Sequence, residues 1–510
     1  MKYHHTAIAK GNYNWDAELF RIMPHILETK SANERDMILT QWIDNFGSIK
    51  SGKQKEGRKE IKLKPDLNWI ENSGLNKNLS EKLKNIQTAK KPSKHYYIKL
   101  YPIIKTPEFK NERPYKYFNY SDDSGIKLLA LFRYWNLIQY FYPYKYLTDK
   151  DWNDIPKEFI PKFINSKTEQ DYKLTLLELI GNINDSHAEI INDKTIYEWR
   201  GKNKAPYKIA FIEDKAVITD AELQQDNNLK TGDIITHINE QDIDEIVKEK
   251  MPYMPASNYA AQLQYVADEL LRTNEDSISL MIMRDGNSFV YKSPCYALSN
   301  IKVEHSEKSS YDLLSNDIGY IYSGTLRSDS LPVIMEKFKN TKGIIIDIRC
   351  YPQYDFSTIS SLSKYLVPKK TKFAKTTAGS ISNPGEFKFG ISLKVGKRNK
   401  EYYKGKVIIL VDNTTISAAE FQAMAFQTAP DAKVIGNTTA AANGNVSGYI
   451  TLPGDVKTII TGNGIYYPDG SEAQRVGIAL DMEVKPTIQG IKEGRDELLE
   501  KAIEIIEKQE

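Results

Sequence analysis

Residues 406–426 read KVIILVDNTTISAAEFQAMAF. The apolar run Val407 to Val411 has the length and composition of a buried strand, and it hands over through a polar turn to a helix that begins near Ser417. At a helix start the first N–H groups have no intrahelical acceptor and the helix dipole is positive, so an oxyanion forming beside Ser417 is stabilised there. The same window fits a second reading. Ser417-Ala418-Ala419-Glu420 is an S-x-x-E capping box, in which the serine caps the helix and Glu420 returns the hydrogen bond. Nucleophile and cap are both open from this window alone.

Working outward, DIGYIYSG, GIIIDIR, KVIILVD and KVIGN read as strands that alternate with helical DSLPVIMEKFK, SSLSKYLV and AAEFQAMAFQTA. That order predicts an α/β layer with a largely parallel sheet, closed by the charged amphipathic helix DELLEKAIEIIEKQE. Residues 206–295 differ in character. PYKIAFIEDKAVITDA reads as a strand pair, LKTGDIITHINEQDI as a turn into a strand, and SISLMIMRDGNSFVYKSP as a hairpin turning at Asp285-Gly286, with the helix SNYAAQLQYVADELLR before it. Earlier still, residues 2–27 and 139–164 align without gaps, matching Tyr3 to Tyr140, Trp15 to Trp152 and Pro24 to Pro161, as a duplicated helical unit would. The second copy is preceded by the apolar helix GIKLLALFRYWNLIQYFYP, whereas the first begins at residue 2. The expectation is that an N-terminal piece, and any export signal with it, is missing.

With 510 residues the chain exceeds one hydrophobic core, so several domains are expected. Seventy lysines and arginines against 67 acids leave a net charge of +3, too little to make nucleic acid the main partner. The basic stretch Lys50–Lys64 has no interleaved aromatics and reads as a solvated linker or loop. Cys295 and Cys350 form neither a metal-ligand spacing nor a disulfide framework, and no cluster of ligand-type residues implies a metal or organic cofactor. No run approaches the ~20 apolar residues of a membrane span, and the opening MKYHHTAIAKGNYNWD lacks the apolar core of a signal peptide.

Six motifs in order, LLELIGNINDSHAEI, LKTGDIITHINEQDI, GIIIDIR, TTISAAEF, NTTAAANGNVSG and YYPDGSEAQRVGIALDMEVKPT, resemble the tail-specific, or C-terminal processing, serine peptidases, within them the branch related to the tricorn core protease. The resemblance runs from about residue 125 to the end and is more specific than any single motif. It implies a multidomain α+β fold: an N-terminal helical region over 1–122, a helical domain carrying the catalytic histidine over 123–200, a PDZ-like β module over 201–298, and a C-terminal α/β peptidase domain of the ClpP/crotonase type over 299–510.

The resemblance makes Ser417 the nucleophile and asks for a base. One family solution is a lysine in a downstream T-x-G-K-G turn, but Thr439-Ala440-Ala441-Ala442-Asn443-Gly444 has alanine there. The other is a histidine before the PDZ-like module, and His187 fits it; the remaining six histidines, His305 among them, read as packing or exposed side chains. Ser186 matches a relay serine between that histidine and a carboxylate. Three residues before Gly477, where the carboxylate is expected, stands Gln474, which can orient but carries no charge; Glu472 and Asp185 are the acids that could substitute. The oxyanion hole is expected from the N–H of Ala418 with that of Tyr351, in a loop that lacks the family's glycines. Asp347 and Arg349 read as a structural ion pair, and Gly232 and Asp233 as fold residues. The implied function is a serine endopeptidase acting on peptides or unstructured C-terminal tails, in the periplasm or cell envelope. The alternative is a catalytically weak or inactive homologue that binds peptides.

Overall fold

The computed structural model describes residues 1–49, 52, 60–92, 94–220, 228–301, 308–353 and 356–508. The chain divides into two compact units whose boundaries do not follow chain order. One gathers Met1–Ile183, Thr376–Ile391 and Asn445–Gly464; the other gathers Asn184–Lys375, Ser392–Gly444 and Ile465–Glu510.

The first unit is built around the helix Ser124–Phe141, capped by Asp123, which accepts from the Ile126 N–H at 3.0 Å. Leu129, Ala130, Leu131, Tyr134, Leu137 and Ile138 of this helix are buried, on more than one face, as expected of a helix inside a core. Its Arg133 is enclosed and neutralised by Asp16 at 2.9 Å and Glu112 at 3.1 Å. The two copies of the duplicated motif meet here. The rings of Tyr3 and Tyr140 lie edge to face at 5.9 Å, His4 packs on Tyr140 at 5.0 Å, and Pro24 and Pro161 each lie inside a helix, Trp15–Leu27 and Ile155–Asn165. One expectation is corrected. Of the stretch read as a solvated linker, Ile61–Leu63 is a strand paired antiparallel with Phe387–Phe389, while 50, 51 and 53–59 lie outside the described residues.

The two largest sheets of the second unit position the site. In the first, Lys208–Ile212, Lys215–Asp220, Ile234–Ile238, Ser277–Arg284 and Asn287–Pro294 run antiparallel, with Lys208–Ile212 at one end, and the hairpin turns at Asp285-Gly286 as its dipeptide demands. Gly232 takes φ +88°, and Asp233 holds Arg284 at 2.6 Å, so both serve the turn. In the other sheet the strand order is Tyr311–Leu314, Ile318–Tyr322, Gly343–Asp347, Lys406–Val411, Lys433–Gly436 and Met482–Glu483, parallel throughout except for the first pair. Every residue of Gly343–Asp347 and all but the first of Lys406–Val411 are buried, the near-continuous apolar pattern of a sheet covered on both faces. Each fully buried aliphatic side chain in such a strand contributes about 1.5–3 kcal/mol. At the end of Lys433–Gly436 the chain must pass very close to its neighbour. A Cβ on Gly436 would fall 1.8 Å from the Val411 carbonyl oxygen, so only glycine lets Asn437 turn there and launch residues 439–443.

Candidate active site

Strand Lys406–Val411 ends at Asp412, whose carboxylate accepts from the N–H of Thr414 at 2.9 Å and its hydroxyl at 2.6 Å, while Thr415 donates to the Ile348 carbonyl at 2.9 Å. This tight turn delivers Ser417 to the N-cap of the helix Ala418–Phe426 with φ 54° and ψ −109°. A non-glycine residue held at positive φ costs of order 1–3 kcal/mol and persists only where its surroundings over-determine it. Here they do. The Ser417 N–H donates to the Ala442 carbonyl at 3.1 Å and to the Glu420 carboxylate at 3.2 Å.

Glu420 is 0% exposed and is more than half of a capping box. Its two oxygens also accept from the Thr439 hydroxyl at 2.5 Å, the Ala441 N–H at 3.0 Å and the Ala442 N–H at 2.9 Å. Burial pushes its carboxyl up to about 7, against the downward pull of these donors. Residues 439–443 are thus wrapped around a buried carboxyl in the first turn of the helix that Ser417 precedes. Ala441 itself is at φ 55°, and its carbonyl accepts at 2.9 Å from Arg475, a third non-glycine residue at positive φ (64°).

Asp185, Ser186 and His187 reach the same loop. The Ser186 hydroxyl donates to the Ala440 carbonyl at 3.1 Å and accepts from the Ser257 N–H at 2.8 Å; the Ser186 N–H donates to the Ser257 hydroxyl at 2.9 Å. Ser257 is fully buried and receives a further bond from the Gln474 side-chain amide at 3.1 Å, while the Gln474 carbonyl accepts from the Asn443 N–H at 3.1 Å. Asn258 donates to the Thr439 carbonyl at 2.8 Å and Arg475 to the Ser257 carbonyl at 3.0 Å. The His187 ring nitrogen Nδ1 lies 3.6 Å from the buried Asp185 carboxylate, an ion-pair rather than a hydrogen-bond distance, and the same carboxylate accepts from the His187 N–H at 3.1 Å.

The other expected residues are placed as follows. Ala418 is the first helical residue after Ser417, and Tyr351 lies in the loop after Gly343–Asp347 with 61% of its surface exposed. Neither N–H donates to a backbone carbonyl among the described residues. Glu472 is half-buried, and its backbone bridges to Tyr466. Arg349 is chelated by Asp347 at 2.7 Å and by Asp496 at 2.7 Å, an anchoring pair. Burial and Asp347 push the Cys350 thiol up to about 12, which disfavours its thiolate. His305 lies outside the described residues, and among these no group of three metal-ligating side chains occurs.

Ser257 was not among the residues that sequence reasoning singled out. Its only local signal is the turn Pro255-Ala256-Ser257-Asn258, in which Asn258 caps the helix Tyr259–Glu269. That it joins Ser186 to Gln474 is a tertiary fact.

The parallel sheet that carries Ser417 lies in a serine-type peptidase domain. Residues 317–484, about a third of the chain, match the model of Peptidase family S41, and Ser417 and Glu420 lie within that stretch. A nisin-resistance protein from Lactococcus lactis subsp. lactis is 31% identical over 106 residues, which are 20% of this chain and 33% of that protein, so the match spans a third of the relative's length. The fold is similar to mature CPAF in complex with lactacystin, at 13% identity and a TM-score of 0.58, covering 75% of this chain and 98% of the other. A mutant of CPAF gives 14% identity and a TM-score of 0.60 with the same coverage. At these identities the likeness is one of fold.

Proposed function

We propose that this protein is a serine endopeptidase that cleaves peptides or unstructured protein tails through an acyl-enzyme on Ser417. The observation that carries the reading is the shared loop: Ser417 binds it at Ala442 and Ser186 binds it at Ala440, so nucleophile and histidine segment are held by one rigid piece of chain.

In this reading His187 takes the Ser417 hydroxyl proton as Oγ attacks the scissile carbonyl, and the N–H groups of Ala418 and Tyr351 receive the oxyanion. The tetrahedral species collapses, the amine leaves with the proton from His187, and water then repeats the sequence on the acyl ester. Asp185, rather than Gln474, stabilises the imidazolium, because it is the acid beside the ring. Ser186, Ser257 and Gln474 act as positioning residues, and Glu472, two residues before Gln474, is the alternative acid.

Recruitment belongs to the PDZ-like module, 201–298. Its strand Lys208–Ile212 ends a sheet, and an extended peptide adds to that edge through main-chain bonds. In the same organisation 1–122 carries the helical repeat, 123–200 brings His187 and 299–510 is the ClpP/crotonase-like core. A periplasmic or envelope location is part of the proposal, supported by the resemblance and by the nisin-resistance relative. No helix among the described residues is long and apolar enough to cross a membrane.

Replacing Ser417 by alanine abolishes both cleavage of an unstructured peptide and labelling by a fluorophosphonate; persistence of either sinks the assignment. The second reading, a peptide-binding homologue without turnover, is favoured by one observation, the neutral Gln474 at the position where an acid is expected. It predicts equal peptide binding by wild type and Ser417→Ala with no product from either.

A further inference from the structure

Within the second unit, residues 361–375 and 392–406 contain eleven lysines and arginines but one acid, Glu401. These thirty residues therefore carry +10 in a chain of net charge +3, leaving −7 on the remaining 480. The fold brings the two segments together. Thr371–Gly379 pairs antiparallel with Leu393–Val395, so that Lys372 stands directly opposite Lys394 on one face. The following turn folds back: Asn399 donates from its backbone N–H to the Pro368 carbonyl at 3.1 Å and from its side chain to the Lys364 carbonyl at 3.1 Å. Lys397 and Arg398 are thereby set beside Lys369 and Lys370.

Nine of the eleven cations are exposed, and none of these nine takes part in an ion pair among the described residues. Like charges opposite each other on a sheet are unfavourable. A chain that concentrates them here, while staying acidic elsewhere, has a polarised surface whose favourable state is against an extended anion.

We propose that this basic ribbon docks the protein on an anionic phospholipid surface. Three features favour a bilayer over nucleic acid. Ten of the eleven cations are lysine, a point charge suited to a diffuse layer of headgroups rather than to bidentate recognition of phosphate or base. All but Lys364, in the last turn of the helix Phe356–Leu366, lie on strands and the turns and loops beside them, so no basic helix is presented to a groove. The tyrosines within the two segments, Tyr365, Tyr402 and Tyr403, are half-buried or buried, so none offers an open face for stacking a base. The docking is electrostatic and reversible, and it stands independently of the reading of Ser417.

The test is co-sedimentation of the full chain with vesicles of phosphatidylcholine alone or with about one-third phosphatidylglycerol. The account predicts binding only to the anionic vesicles and its loss at high salt, since each lysine at such a surface is worth about fivefold. The variant Lys369→Gln, Lys372→Gln, Lys394→Gln partitions roughly a hundredfold more weakly. A control with the same charge change elsewhere, Lys77→Gln, Lys194→Gln, Lys215→Gln, binds within about threefold of wild type. Circular dichroism verifies that both triple variants are folded; should the first fail, Lys397→Gln with Arg398→Gln in the turn replaces it. Equal loss in ribbon and control variants, equal binding to neutral vesicles, or tighter binding to duplex DNA or RNA than to anionic vesicles at the same salt overturns the proposal.

Discussion

Two neighbouring parallel strands, Gly343–Asp347 and Lys406–Val411, end side by side at the same edge of the sheet, with Asp347 in register with Leu410, and the chain secures the two ends by opposite means. After the first it uses charge. Asp347 is 1% exposed and is neutralised by Arg349, which also binds Asp496, while Tyr320 donates to Asp347 at 2.7 Å. Burial pulls Asp347 upward, yet the Arg349 bonds overcome it and hold the carboxyl below its usual range. After the second strand the buried acid is Glu420, and its partners are backbone N–H groups and a hydroxyl. The ion pair anchors the start of the loop that carries Tyr351. A carboxyl held by neutral donors fixes the backbone of Ser417 with no cation among those donors.

The comparison predicts that damage at the second end falls on chemistry and damage at the first on stability. Ser417→Ala removes turnover altogether, a fall of at least ~10⁴ in kcat on an unstructured peptide substrate. His187→Ala lowers kcat by about 10³–10⁴ with little change in the melting temperature. Asp347→Asn leaves Arg349 half-paired and costs about 3–5 kcal/mol in urea unfolding, while kcat/KM per folded molecule, felt only through the Tyr351 loop, falls less than about tenfold. A large loss of activity there, at unchanged stability, would break the contrast.

Glu420 sharpens it through pH. Its folded value, about 7, lies above the ordinary 4.5, so its contribution to stability is full below pH 4.5 and is lost as pH rises through 7. The difference is roughly 3 kcal/mol across that window. Glu420→Gln cannot titrate, so its unfolding free energy lacks this fall between pH 4.5 and 7 when both proteins are measured by denaturant titration. A parallel pair of pH profiles contradicts the assignment. The smallest effect is expected of Gln474→Glu, which keeps both bonds by letting the Ser257 hydroxyl donate; kcat changes by less than about tenfold. A gain of several orders of magnitude would instead make Gln474 the reason for a crippled site.

Much of the sheet edge was legible in the chain. The strand–turn–helix around Ser417, the buried strands on either side and the Asp285-Gly286 hairpin each have a local signal: an unbroken aliphatic run, a capping box, a dipeptide that tolerates positive φ. What local pattern could not carry is pairing over distance. The three-residue strand Ile61–Leu63 is too short for alternation to show and finds its partner at Phe387–Phe389, over 300 residues away. Ser257 looks like a turn residue until Ser186 and Gln474 arrive on it. Glu420 announces the cap, but not that the loop 439–442 closes around it. The same limit applies to the lysines of the ribbon, which are spaced unremarkably along the chain and become a patch only when two strands and a turn bring them together.

The central claim is that Ser417 is a nucleophile activated by His187. It is tested most directly by the rate of fluorophosphonate labelling, with the adduct mapped by peptide mass spectrometry. The account predicts one adduct, on Ser417, forming at least ~10³-fold more slowly in His187→Ala. An adduct on another residue, or an unchanged rate in His187→Ala, would contradict it.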